Sequence, residues 1–486
     1  MAMEKRTIGV VRYLCFLLLS SPILAYDQIT PDFQELDEIS ALQPEQDGAY
    51  RSGKKSRQKE WTFIVYIAAD NDLRGFAARN IKQMAEVGSN DNLNIVAHLD
   101  IKITGNKKIT RRYYIEPNKI LHVNSDDAAS QKMDSGDPKT LVSCCKWAIE
   151  NYPAKNYALI LWNHGTGPID PETNRIVNPS ALWSLNPTNN KLELDRTITF
   201  LDFINDIHNH KEYNPTNEAC LDDPEKGICW DDSTGNYLNN QKLDAALGEI
   251  SRTLLGGGKL SILGFDACLM ATIEIADIAK RHAHVMVSSQ EVELGAGWNY
   301  TKVLTPFKTG SLNQESFAKH IVEAYHEEYS KITNDYTHSA MNLADTDKLA
   351  NNINQVAGLL IECLKNQKNN SVKNAIQASK NRQLCTHFDE PSYIDLHHFY
   401  SNLLANLKHF VLSSNDQNKQ SLAQALQEGQ GLIKKFVIAN RAGKNLSLAQ
   451  GVSIYFPDRR IHPSYRKTLF ASQNKWFSFL TQYLSV

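Results

Sequence analysis

Two residues of this 486-residue chain stand where a thiol and an imidazole could work together. Cys268 follows the apolar run Leu260-Ser-Ile-Leu-Gly-Phe265, and His164 follows Tyr157-Ala-Leu-Ile-Leu-Trp-Asn163. Both runs read as buried strands, so each reactive side chain stands at a strand's carboxyl end. A cysteine thiol is mostly protonated at neutral pH and becomes a good nucleophile only beside a base or a helix N-terminus. His164 would take the thiol proton and later return it to a leaving amine, which is the chemistry of acyl transfer. Gly165 lets backbone approach a substrate closely, so its N–H and that of Cys268 are candidates for holding the oxyanion. Apart, each residue has a plainer reading, a packed thiol and a hydrogen-bonded imidazole; the matched strand-end positions favour the pair.

The elements that must position this pair recur along the chain. Trp61-Thr-Phe-Ile-Val-Tyr-Ile-Ala-Ala-Asp70 and Leu93-Asn-Ile-Val-Ala-His-Leu-Asp100 are further buried strands, and Ala283-His-Val-Met-Val-Ser-Ser289 is another. Helical patterns separate them, so the expected fold class is α/β, a mostly parallel central sheet with helices on both faces. Ligands in such sheets bind at the carboxyl ends of the strands. The run Leu269 to Ala276 is expected to open a helix at or just after Cys268, with its dipole favouring thiolate. Residues 168–235, rich in Asn, Pro, Asp and Thr, read as an exposed insertion in a catalytic domain spanning 61–345. Residues 346–486 read as a helical subdomain that returns a strand, Gly451-Val-Ser-Ile-Tyr-Phe-Pro457.

The N-terminus carries Lys5, Arg6 and Arg12 before a short apolar run, then small residues up to Ala25. This is a signal-peptide pattern over 1–25, cleaved near Ala25, and it implies a secreted or periplasmic protein. Residues 26–60 are polar and read as a linker or pro-segment. No later segment reads as a membrane span. A net charge of −2 and the absence of a basic block interleaved with aromatics exclude a nucleic-acid partner. After export the chain keeps an odd number of cysteines; Cys220 and Cys229 flank a polar segment fit for a disulfide-closed loop, and Cys144 and Cys145 read as packing residues. His320, Glu323 and His326 lack metal-ligand spacing.

Several runs in order give the sequence a family resemblance: Val65-Tyr-Ile-Ala-Ala-Asp-Asn-Asp-Leu73, Trp162-Asn-His-Gly-Thr-Gly167, Trp230-Asp-Asp-Ser-Thr-Gly-Asn-Tyr-Leu238, Gly264-Phe-Asp-Ala-Cys-Leu-Met270, Gly297-Trp-Asn-Tyr300 and Gly451-Val-Ser-Ile-Tyr-Phe-Pro457. From Trp61 to about Tyr483 the chain resembles the clostripain family of cysteine peptidases, in the clan of caspases, legumains and gingipains. The resemblance implies a caspase-like sheet, a His164/Cys268 dyad without an obligatory third member, and cleavage of protein or peptide substrates after basic residues. Asp266 matches the acid that lines the primary specificity pocket, where a carboxylate pairs with substrate Arg or Lys. Ala296 stands where some members place a further acid, and Glu291 and Glu293 are candidates to compensate.

The resemblance also implies self-cleavage between the dyad residues, with Arg175, Lys191, Arg196, Lys211 and Lys226 as candidate sites. No cofactor is required; calcium is compatible with the pairs Asp231-Asp232 and Asp222-Asp223. Two alternative readings are a catalytically silent relative that serves as a surface binding protein, and a peptidase of other specificity, for instance towards Asn.

Overall fold

A computed structural model describes residues 25, 28–43, 57–103, 107–123, 133–169, 179–197, 227–365, 371–410 and 417–485. Its strands, in chain order, are β1 (Lys59–Ala69), β2 (Leu93–Ile103), β3 (Lys107–Glu116), β4 (Lys119–His122), β5 (Ala154–Trp162), β6 (Trp183–Asn186), β7 (Lys191–Leu194), β8 (Ile228–Asp231), β9 (Asn236–Leu238), β10 (Leu260–Asp266), β11 (Ala283–Ser288), β12 (Thr337–Asn342), β13 (Tyr393–Asp395), β14 (Val437–Ala442) and β15 (Ser453–Tyr455). Nine form one sheet in the order β14-β12-β11-β10-β5-β1-β2-β3-β4. The centre, from β11 through β10, β5 and β1 to β2, is parallel, and antiparallel strands close both edges. The expected α/β class is what the chain adopts.

Why the central strands read as unbroken apolar runs is visible in β1, whose alternate side chains meet different helices. Trp61 and Phe63 pack on Phe317 of the helix Gln314–Tyr329 at ring distances of 5.3 and 6.0 Å. The even positions face the other way: Thr62 donates to the carbonyl of Tyr152, which ends the helix Pro138–Asn151, and Tyr66 donates to the carbonyl of Ser135. Both faces are therefore covered, and the sheet has no wet side at its centre.

Two parts differ from the sequence reading. Within the stretch read as linker, Phe33–Ser40 is a helix capped by Asp32, which accepts from the N–H groups of Gln34 and Glu35. It buries Leu36 and Ile39, a pair too short to register as a period. The strand that the last third returns to the central sheet is β14, beside β12, while the Gly451–Pro457 run supplies β15, which pairs with β13. The central sheet thus draws on residues beyond 346. Much of the insertion lies outside the described residues; the described part includes the β6–β7 hairpin, pinned by Leu192 N–H to the carbonyl of Ile332.

Candidate active site

The register of two neighbouring strands builds the site. β10 pairs with β5 in parallel, with Asp266 opposite Trp162, so Cys268 and His164 each lie two residues past a matched pair at the same rim. Both line one narrow pocket with Leu73, Asp266, Glu293 and Gly297. Gly165 is needed here because a Cβ would fall 2.6 Å from the carbonyl oxygen of Cys268. Gly165 also bridges Ile228 of β8, near the end of the insertion.

The expected helix does not begin at the cysteine. Leu269 takes a left-handed φ of 63°, its N–H and that of Ala271 donate to the carbonyls of Glu291 and Ser289, and the helix Ile273–Ala279 starts only after its cap Thr272. The helix dipole is therefore too far along the chain to act on the thiol, because such effects fade within one turn. What touches Sγ instead is the backbone N–H of Glu293, at 3.2 Å. Burial pushes the thiol well above its ordinary range; that N–H pulls it back, and the carboxyl groups of Glu293, Asp389 and Glu291 push it further up.

His164 has a partner that sequence reasoning did not assign. Its Nε2 lies 2.5 Å from Oδ1 of Asp72. Burial alone would raise the Asp72 carboxyl, but the imidazole beside it outweighs burial and holds it below the usual range. Asp72 rides on a turn fixed by Asn71, whose side chain accepts from Leu73 N–H and donates to the carbonyls of Ala68 and Trp230. Asn163 mirrors this, donating to the same two carbonyls and accepting from Trp230 N–H. The two asparagines lace the ends of β1, β5 and β8 together. The available signal was position: Asp70-Asn71-Asp72 ends a strand, as His164 and Cys268 do.

Asp266 points into the pocket with its oxygens fixed: they accept from the backbone N–H of Trp298 at 3.1 and 3.2 Å and from the Tyr300 hydroxyl at 2.8 Å. Gly297 makes room, since with φ at +63° a Cβ there would stand 2.5 Å from the carboxyl. Asn80, unnoticed in the sequence, holds this loop by donating to the carbonyls of Ala296 and Trp298 while accepting from the indole of Trp162. The two glutamates proposed to compensate for Ala296 part ways. Glu293 lines the pocket beside Asp266, whereas Glu291 turns away to bond Arg196 at 2.7 Å.

Other expected residues serve elsewhere or lie outside the described residues. Asp231 is ion-paired to Lys108 and caps Thr234, and Asp232 accepts from the indole of Trp230. Among the described residues no cluster of His, Cys, Asp or Glu is arranged to hold a metal ion. Asp222 and Asp223 are outside the described residues, as are Arg175, Lys211, Lys226 and residues 1–24 of the expected signal segment. Ala25 is buried. Lys191 is held in the β6–β7 hairpin, where its ammonium donates to Ser330 and Asn334. Cys229 is buried and has a left-handed φ; its expected disulfide partner Cys220 is outside the described residues. The chain turns inward there to lay β8 against the core. Cys144 and Cys145 are buried, as read. No helix among the described residues is long and apolar enough to cross a membrane.

Comparisons with known proteins agree with this architecture. A secreted C11 cysteine protease from Bacteroides thetaiotaomicron, solved with an irreversible peptide inhibitor, superposes with a TM-score of 0.52 at 17% identity, covering 87% of this chain and 99% of that one. An inactive zymogen C11 protease from Parabacteroides distasonis gives 0.53 at 18% identity with the same coverage. Clostripain of Hathewaya histolytica is 28% identical over 284 residues, 54% of this chain, and the match spans 44% of that relative's length. The clostripain family profile matches residues 65–195 and 207–483. The chain belongs to the clostripain family of cysteine peptidases.

Proposed function

We propose that this protein is an exported endopeptidase that cuts polypeptides after Arg or Lys, with Cys268 as nucleophile and His164 as general base and acid. The observation that carries the reading is the β5–β10 register, which brings His164, Cys268 and Asp266 to one pocket. The substrate's basic side chain enters beside Asp266, and this orients the scissile carbonyl over Sγ. Burial keeps the resting thiol protonated, so the thiolate forms as its proton moves to His164. The S–C bond forms, and the oxyanion is met by the N–H groups of Gly165 and Cys268. The C–N bond then breaks as His164 protonates the amine, leaving a thioester. Water, deprotonated by His164, releases the acid and restores the thiol. Asp72 is a positioning residue that fixes the imidazole.

The same activity acts on the chain's own insertion between 168 and 235 after a basic residue. Lys191 is a poor site because its backbone is paired in a hairpin, and a protease needs extended backbone. Secretion rests on the signal-peptide pattern and is consistent with relatives described as secreted. The chemistry runs on protein groups alone; chelation followed by return of calcium measures any dependence on that ion.

The test pairs the wild type with Cys268→Ala, both incubated with reductant, read by mass spectrometry and by fluorogenic peptides ending in Arg, Lys, Asn or Ala before the cut. The expected result is nicking after a basic residue in the wild type alone, with Arg and Lys peptides cleaved. Self-cleavage retained in Cys268→Ala would overturn the nucleophile assignment. Cleavage only after Asn would replace the specificity, and an uncut, inactive wild type would favour a binding role.

A further inference from the structure

The pocket is lined by two carboxyl groups and by no Lys or Arg among the described residues. Glu293 is 3% exposed and Asp266 is 4% exposed. The Glu293 carboxyl lies beside that of Asp266 and the indole of Trp298, and neither of its oxygens has a hydrogen bond of ordinary geometry. The one basic group within ion-pair distance among the described residues is His338, whose Nε2 lies 3.7 Å from Glu293. That imidazole is fully buried, stacked on Tyr325 and edge-on to Trp298, and burial lowers it to about 3, so it stays neutral. The other groups that act on the pair are the indole of Trp298, which lowers Glu293, the hydroxyls of Tyr300, Tyr325 and Tyr329, all pushed up by burial and so neutral, and the thiol of Cys268. Arg79 acts on Tyr329 from the helix Arg74–Val87.

We infer that Glu293 is the second carboxylate of the specificity pocket, and that with Asp266 it takes one guanidinium or ammonium of the substrate, which displaces a proton the two acids share when the pocket is empty. Two carboxyl groups side by side in a dry site cannot both ionise without a cation. Burial raises both; Asp266 raises Glu293 further, while the donors of Tyr300 and Trp298, and then Glu293, draw Asp266 part of the way back. An entering Arg or Lys supplies the missing charge, and one proton leaves to solvent as the ion pair forms. Glu293 supplies from the loop's preceding turn the acid that Ala296 lacks. It also touches the nucleophile through its N–H, so the residue that reads the substrate's charge is bonded to the sulfur that attacks. The inference rests on the reading that this pocket receives a basic side chain.

The experiment compares wild type, Glu293→Gln and Glu293→Asp on peptides that differ only in carrying Arg, Lys or the neutral isostere citrulline before the cut. In Glu293→Gln, kcat/KM for Arg and Lys should fall at least about tenfold while citrulline changes little, and Glu293→Asp should retain a preference for charge. An unchanged ratio of Arg to citrulline in Glu293→Gln would overturn the role of Glu293 and leave the basic specificity standing. A wild type that ignores the charge would instead remove the specificity reading itself. A measurement on the wild type alone guards against a misfolded variant. Agmatine, at a concentration that blocks peptide cleavage, should release about one proton per site near pH 6.5. Competition without proton release, or no competition, would count against the shared proton.

Discussion

Asp70, Asp100 and Asp231 converge on the ammonium of Lys108, whereas Asp266 and Glu293 converge on no cation among the described residues. In the first cluster Lys108 lies 3.2 Å from Asp70 and 3.1 Å from Asp100 and is bonded to Asp231. Ser135 donates its hydroxyl to Asp100 and its N–H to Asp231. Burial would lower Lys108, but Asp100, Asp231 and Asp70 together outweigh it and raise it, whereas at Asp100 burial outweighs Lys108 and lifts the carboxyl to about 7. In the second, backbone and tyrosine donors satisfy Asp266, and the one base within ion-pair distance among the described residues is a neutral histidine. The difference separates structure from the proposed function: a buried acid cluster with a resident cation is a closed strut joining β1, β2, β3 and β8, and one without a cation among the described residues is what the proposed specificity needs.

Removing the resident cation is the largest blow to this comparison. Lys108→Met leaves buried carboxyl groups without their partner and should cost about 3–5 kcal/mol, read by denaturant unfolding. A loss under about 1 kcal/mol would mean the cluster is wet and the contrast false. Next in size, Asp72→Asn keeps the shape beside His164 and removes the charge, so kcat should fall on the order of tenfold with KM unchanged in a peptide assay. An equal rise in KM would make Asp72 a substrate contact instead.

The smallest effect has the opposite sign. Asp266 is raised to about 7 and Glu293 is raised further, so the folded chain holds protons that the unfolded chain releases from roughly pH 4 upward. The stability tied to those protons is present at low pH and drains away as pH climbs through the folded values. Glu293→Gln should therefore melt like wild type near pH 4 and be more stable by roughly 1–2 kcal/mol at pH 8, the reverse of Lys108→Met. Thermal melts across that range check the sign.

What could be read from the sequence follows how local each signal is. His164, Cys268 and Asp266 were legible because strand texture and strand ends are short-range properties, and a parallel register does the rest. Glu291 and Glu293 show the limit. They are two residues apart in an irregular loop, where no period says which way a side chain turns, so only packing against Arg196 on one side and Asp266 on the other distinguished them. Nothing local to Lys108, near the start of β3, marks it as buried, since its three partners come from β2, β8 and the residue after β1.

The sequence by itself determined the α/β class, the family and which thiol and imidazole come to one rim of the sheet, since apolar runs and short motifs encode these through backbone geometry. The tertiary structure alone decided that the helix after Cys268 starts late, that Asp72 stands behind His164, that β14 rather than the Gly451–Pro457 run completes the sheet, and which buried acids own a cation. Each of these depends on contacts between segments far apart in the chain, and charge in a dry interior is settled by the nearest neighbour in space.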